Sequence, residues 1–125
     1  MNRALVLFAH GARDPRWAEP FEAVAERVRH AAPALPVRLA FLELMAPTLA
    51  DAVEALVATG AAQIDVVPLF LGSGGHVRKD LPALVDAVRA AHPGTVVRLG
   101  GAIGEDAAVL DAMARAALAA AGFGE

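Results

Sequence analysis

The sequence predicts an α/β fold, a flavodoxin-like domain with a four-stranded parallel sheet flanked by helices. Three observations carry this. Short apolar runs alternate with longer segments whose apolar residues recur at helical spacing, in the order βαβαβαβα. The first run, from Ala4 to Ala9, is apolar at every position, as in a strand covered on both faces. The chain has 125 residues, enough for one core and too few for two, so residues 1–125 are read as a single domain.

Each element follows from its residues. Strand one is placed at 3–9, and Gly11 to Trp17 is a loop broken by Pro15. Helix one is placed at 18–31, with Pro20 tolerated in its first turn and Phe21, Val24, Ala25 and Val28 facing inward. Strand two is placed at 37–42. Pro47-Thr48 opens helix two, where Thr48 and Asp51 form a capping-box pattern, and Gly60 closes it. Strand three is placed at 63–71. Pro68 inside it implies an edge position or a bulge, because proline donates no ladder hydrogen bond. Helix three is placed at 77–91 and strand four at 95–99. Helix four, at about 105–121, is rich in alanine and carries Val109, Leu110, Met113 and Leu118. No short sequence repeat stands out.

Composition narrows the function classes. Net charge is -3 and there is no basic stripe, so nucleic acid is not an expected partner. The absence of cysteine excludes disulfides, thiolate metal sites and iron–sulfur clusters. The N-terminus shows no signal-peptide pattern, and no apolar stretch is long enough to span a membrane. The expectation is a cytoplasmic protein with no membrane association.

The chemistry concentrates at three strand ends. His10, Glu43 and His76 are spaced 33 residues apart. One βα unit of about 30 residues returns the chain to the same sheet edge, so all three fall on the carboxyl edge, where open α/β sheets bind ligands. Two imidazoles and a carboxylate suit a divalent first-row metal such as cobalt, iron, nickel or zinc, and they also accept protons near neutral pH. A plain structural explanation stands beside this one: Glu43 capping the helix after it, and the histidines lining a polar loop. His30 and His92 sit where helices one and three end, which suits the helix dipole. The loop from Gly72 to Gly75 is open to two readings, an anion-binding run of backbone N–H groups or a hinge that makes room for His76. Arg13, Arg78 and Lys79 flank the region as partners for substrate carboxylates or as solvated charges. Asp80 reads as a first-turn helix charge. Trp17 packs a loop or forms one wall of a cleft.

With these residues in place, the sequence resembles the short-form CbiX family of sirohydrochlorin chelatases. The motifs that carry the resemblance are His10-Gly11-Ala12-Arg13-Asp14-Pro15, Phe41-Leu42-Glu43, Val67-Pro68-Leu69-Phe70-Leu71, and Gly74-Gly75-His76-Val77 with Asp80 after it. The resemblance implies one lobe of a chelatase-like fold and insertion of a divalent metal into sirohydrochlorin, cobalt for cobalamin, iron for siroheme, or nickel in related members. It implies His10 and His76 as metal-binding, proton-accepting residues, Glu43 as ligand or base, and Arg13, Gly74 and Gly75 as tetrapyrrole contacts. It implies no cofactor beyond the substrate metal, and a homodimer with facing sheet edges. Ala12 departs from the serine common in the family, and residues 100–106 follow its pattern poorly. Two rivals remain at this point. One is a cobalt or nickel carrier that performs no insertion. The other is a histidine phosphatase, which would want arginine where Ala9 stands.

Overall fold

The computed structural model describes residues 2–72 and 74–123, and the described side chains exclude those of residues 75–78. Four parallel strands form one sheet in the order β2-β1-β3-β4: β1 is Arg3–Ala9, β2 Val37–Phe41, β3 Gln63–Pro68 and β4 Val96–Leu99. The helices are α1 (Ala18–Ala31), α2 (Leu49–Ala58), α3 (Gly75–Ala91) and α4 (Ala107–Ala120), with short 3-10 turns at Pro15–Trp17 and Ile103–Glu105. The α/β class and the parallel sheet are as the sequence predicts. Strand three is shorter than expected, and α3 begins earlier, so His76 lies in its first turn and not ahead of it.

At Pro68 the strand has a partner on one side only, the local edge position that the proline implies. β3 is an interior strand, and Pro68 is its last residue, paired with Phe8. The neighbouring Leu69 N–H donates to Phe8 on the β1 side, at 2.7 Å, so the proline nitrogen faces the β4 side. There the ladder has already ended at Leu99 opposite Val66. Proline therefore costs no ladder bond.

One face of the sheet packs on α2 and α3. Ala4, Val6, Phe8, Ile64, Val66 and Val97 meet Leu49, Val53 and Leu56 from α2 and Leu81, Val85 and Val88 from α3. The capping box of α2 forms as predicted, with Asp51 N–H donating to Thr48 Oγ1 at 3.2 Å and Thr48 N–H to Asp51 Oδ2 at 3.4 Å. On the other face α1 packs, with Ala25 and Val28 against Leu7, Val37 and Leu39.

The structure contains an internal repeat that the sequence reading misses. Val28, Arg29, Ala31, Pro33, Val37, Arg38 and Leu39 recur 60 residues later as Val88, Arg89, Ala91, Pro93, Val97, Arg98 and Leu99. The two segments fold alike. Ala32 and His92, which end α1 and α3, have φ, ψ of -135°, 70° and -132°, 66°. Arg29 donates to the Val37 carbonyl at 3.0 Å, and Arg89 donates to the Val97 carbonyl at 2.9 Å. Each arginine thus satisfies an outward carbonyl of an edge strand. Val37 packs towards α1, but Val97 packs on the opposite face towards α3. The units β1-α1-β2 and β3-α3-β4 are therefore related by a pseudo-two-fold axis running along the sheet between β1 and β3. A one-residue shift hides the relation, because Leu5 pairs with Val37 while Ile64 pairs with Val97.

Candidate metal centre

β1 delivers His10 and β2 delivers Glu43 to the same carboxyl edge. His10 Nδ1 and Glu43 Oε1 lie 3.6 Å apart, and both side chains are half-exposed. Two donors bound tetrahedrally at about 2.1 Å from one metal are about 3.4 Å apart, so the pair is spaced to share an ion. Glu43 does not cap α2, which has its own capping box. Its Oε1 accepts the Gly11 N–H at 3.1 Å, which orients the carboxylate beside the imidazole.

Two further contacts hold His10. Its ring lies over Phe70, with centroids 4.4 Å apart and planes at 32°. Phe70 is buried and touches Phe8 in the core, so the imidazole rests on a rigid floor. Trp17 Nε1 donates to the His10 carbonyl at 2.7 Å, and its ring packs on Phe21. Gly11 is required sterically. A Cβ there would run into the carbonyl oxygen of Glu43. Leu44, which follows Glu43, has φ 65° while Met45 N–H donates back to the Glu43 carbonyl at 2.8 Å. A non-glycine residue in this region carries strain of about 1–3 kcal/mol, here stored beside the candidate ligand.

The remaining candidates divide. His76 and Gly75 lie in the first turn of α3, but the His76 side chain is outside the described residues. Gly74 is the residue before that turn, and a Cβ on it would meet open space, so no close approach demands glycine there. Arg13 is exposed, and Asp14 pairs with Arg16 at 2.7 Å. That hydrogen bond holds the Asp14 carboxyl below its usual value. Among the described residues no group of three metal-binding side chains is assembled. The described pair is His10 with Glu43. The support supplied by Phe70 was missed in the sequence, where the residue reads as part of a strand. The contact that makes Gly11 necessary joins residues 32 apart and leaves no local signal.

An open parallel sheet with a histidine and a carboxylate at its carboxyl edge places the chain among open-sheet α/β proteins, whose ligands bind at that edge. A family model, CbiX, matches residues 4–120, and the chain belongs to that family. It is 37% identical over 82 residues to the sirohydrochlorin cobaltochelatase of Methanopyrus kandleri, covering 66% of this chain and 57% of that protein. It is 33% identical over 114 residues to the sirohydrochlorin ferrochelatase of Bacillus subtilis, covering 90% of this chain and 43% of that one. The chain thus spans about half the length of these curated relatives. Among solved structures it is similar to a putative cobalamin biosynthesis CbiX protein from Marinobacter aquaeolei, with a TM-score of 0.83, 36% identity and coverage of 92% and 93% of the two chains. It is also similar to the sirohydrochlorin chelatase SirB from Bacillus subtilis in complex with cobalt, with a TM-score of 0.79, 31% identity and coverage of 90% and 48%.

Proposed function

We propose that this protein inserts a divalent metal, cobalt foremost and otherwise iron or nickel, into sirohydrochlorin. The observation that carries the reading is the pairing of His10 Nδ1 with Glu43 Oε1 at 3.6 Å on the carboxyl edge of a CbiX-family domain. The metal is a substrate. It exchanges water for His10, Glu43 and His76 and passes to the four ring nitrogens as two pyrrole N–H protons leave. The imidazoles of His10 and His76, freed as the metal departs, take up one pyrrole proton each, and the carboxylate balances the charge of the ion on arrival. Arg13 and the backbone N–H groups near Gly74 and Gly75 meet the carboxylates of the tetrapyrrole. A homodimer supplies the second wall of the cleft. The setting is cytoplasmic, and no helix among the described residues is long and apolar enough to cross a membrane.

The test is anaerobic incubation of the protein with sirohydrochlorin and Co²⁺, Fe²⁺ or Ni²⁺ separately, followed by absorbance. Insertion faster than in protein-free controls is expected, and the ranking of rates names the metal. His10→Ala should lose that acceleration by at least a hundredfold while keeping its far-UV circular dichroism. Full activity in that variant would overturn the assignment. Metal binding without insertion by the unsubstituted protein would point to a carrier instead.

A further inference from the structure

α4 follows β4 as α2 follows β2, yet none of its residues is buried, and Leu110, Met113 and Leu118 are about half exposed. The Ile103–Glu105 turn ahead of it is different. Gly104 is buried, and a Cβ on it would run into the backbone of Leu71. Its N–H donates to the Phe70 carbonyl at 2.9 Å. This glycine is required for space and not for conformation, since the left-handed glycines among the described residues are Gly60 and Gly122. The first half of the repeat has the same device. There Gly11 meets the Glu43 carbonyl, and Leu42 N–H donates to the Ala9 carbonyl at 2.8 Å. The 60-residue offset places Ile103 and Gly104 where the first half has Glu43 and Leu44. Each half therefore clamps the loop after its first strand to the loop after its second, and the second clamp has Ile103 where the first has Glu43.

What the second clamp fixes is Phe70. That residue lies two positions beyond the end of β3, where the strand ladders no longer hold it. Gly104 supplies a backbone tie in their place. The Phe70 ring is 3% exposed, with its centroid 6.2 Å from that of Phe8 and 4.4 Å from that of the His10 imidazole. A half-exposed imidazole is free to turn about its two side-chain bonds, and a ring face beneath it removes most of that freedom. We propose, on the reading of His10 as a metal ligand, that Gly104 is a positioning residue for His10 and acts through Phe70. The Ile103–Glu105 turn sets the place of the phenyl ring, and the ring sets the plane in which His10 Nδ1 faces Glu43. The two halves of the chain thus build the centre together. One brings His10 and Glu43 side by side, and the other holds His10 by its face. Contacts that orient a ligand without touching the metal are worth about 10–100-fold in metal affinity.

The position of the imidazole is readable without any metal. The chain has four histidines, and the proton resonances of His10 are those lost in His10→Ala. At about pH 8, above the ordinary titration range of imidazole, protons lying over the Phe70 face resonate upfield. Gly104→Ala should reduce that upfield shift while keeping the far-UV circular dichroism. Its affinity for Co²⁺ alone, measured by calorimetry, should fall about tenfold, and the visible spectrum of bound Co²⁺ should change in intensity. In sirohydrochlorin insertion the KM for Co²⁺ should rise more than kcat falls. Phe70→Leu removes the ring without introducing a clash, and a similar loss of Co²⁺ affinity is expected. Leu56→Ala is the control. It opens the same core at the amino end of the sheet, beside Pro36 and Thr59, and should lower Tm with Co²⁺ affinity unchanged. Unmoved His10 resonances in Gly104→Ala overturn the proposal. So does undiminished Co²⁺ affinity in Phe70→Leu, or a loss in Leu56→Ala as large as that in Phe70→Leu, which would mean a general loosening of the core. If the unsubstituted protein binds no Co²⁺, the metal reading fails by itself, and the His10 resonances still decide whether the turn places the ring.

Discussion

Gly11 is the residue on which the candidate centre turns. Its N–H holds Glu43, and its missing side chain lets the end of β1 approach the Glu43 carbonyl. Gly11→Ala should force the two strand ends apart. Overpacking of this kind costs about 1–3 kcal/mol, so a fall of several degrees in Tm is expected in a thermal melt. Cobalt affinity measured by calorimetry should fall as well, because the 3.6 Å spacing of His10 and Glu43 depends on that approach. Trp17→Phe keeps the ring packing on Phe21 but removes the donor to the His10 carbonyl. It should raise the KM for metal more than it lowers stability, which parallel kinetics and melts would separate.

At the scale of elements, the repeat predicts matched effects. Arg29→Ala and Arg89→Ala each leave an edge-strand carbonyl without its guanidinium, and each also loses an exposed ion pair three residues back, to Glu26 and Asp86. Because the arginines are half-exposed and water can replace part of the loss, about 1 kcal/mol each is expected in urea unfolding, with the two values close to one another. Leu56→Ala, at a fully buried position of α2, should cost about 2–5 kcal/mol. Much at this scale is legible in the sequence. The apolar runs, the Thr48 and Asp51 cap, and the prolines after α1 and α3 mark the elements to within a few residues. The equal spacing of His10, Glu43 and His76 places them on one edge, since each βα unit brings the chain back there. The repeat itself is hidden by the slip of one residue between β3 and β4 and by the divergence of α2 and α4. The exposure of α4 is hidden for a different reason. An apolar helix declares that something must cover it, and its pattern is the same whether the cover comes from its own chain or another.

At the scale of the whole molecule, the ion cluster of Arg3, Asp65 and Arg98 ties β1, β3 and β4 together across the open flank. Burial raises the pKa of Asp65. Hydrogen bonds from Arg3 and Gln63, and the charges of Arg98 and Arg3, outweigh that and hold the carboxyl below its usual value. A carboxylate depressed in the folded state adds stability above its unfolded pKa of about 3.9, and that stability is lost as pH falls through the lower folded value. Asp65→Asn should therefore lower the urea midpoint at pH 7 and flatten its decline below pH 4, read from denaturation curves at a series of pH values. An unchanged acid profile would mean that the cluster adds nothing to folding.

The strand order also bears on how the chain is made. β1, which is synthesised before the other three strands, lies between β2 and β3, and its register with β3 joins Arg3 to Gln63 and Phe8 to Pro68. β2 and α1 are made before β3, so His10 and Glu43 can meet on a nascent chain that has not yet reached β3. The other edge of β1 stays bare until β3 has been translated. During that interval an apolar strand offers unpaired N–H and C=O groups to any neighbouring chain. A polypeptide stopped near residue 60 should therefore precipitate, although it already contains both His10 and Glu43.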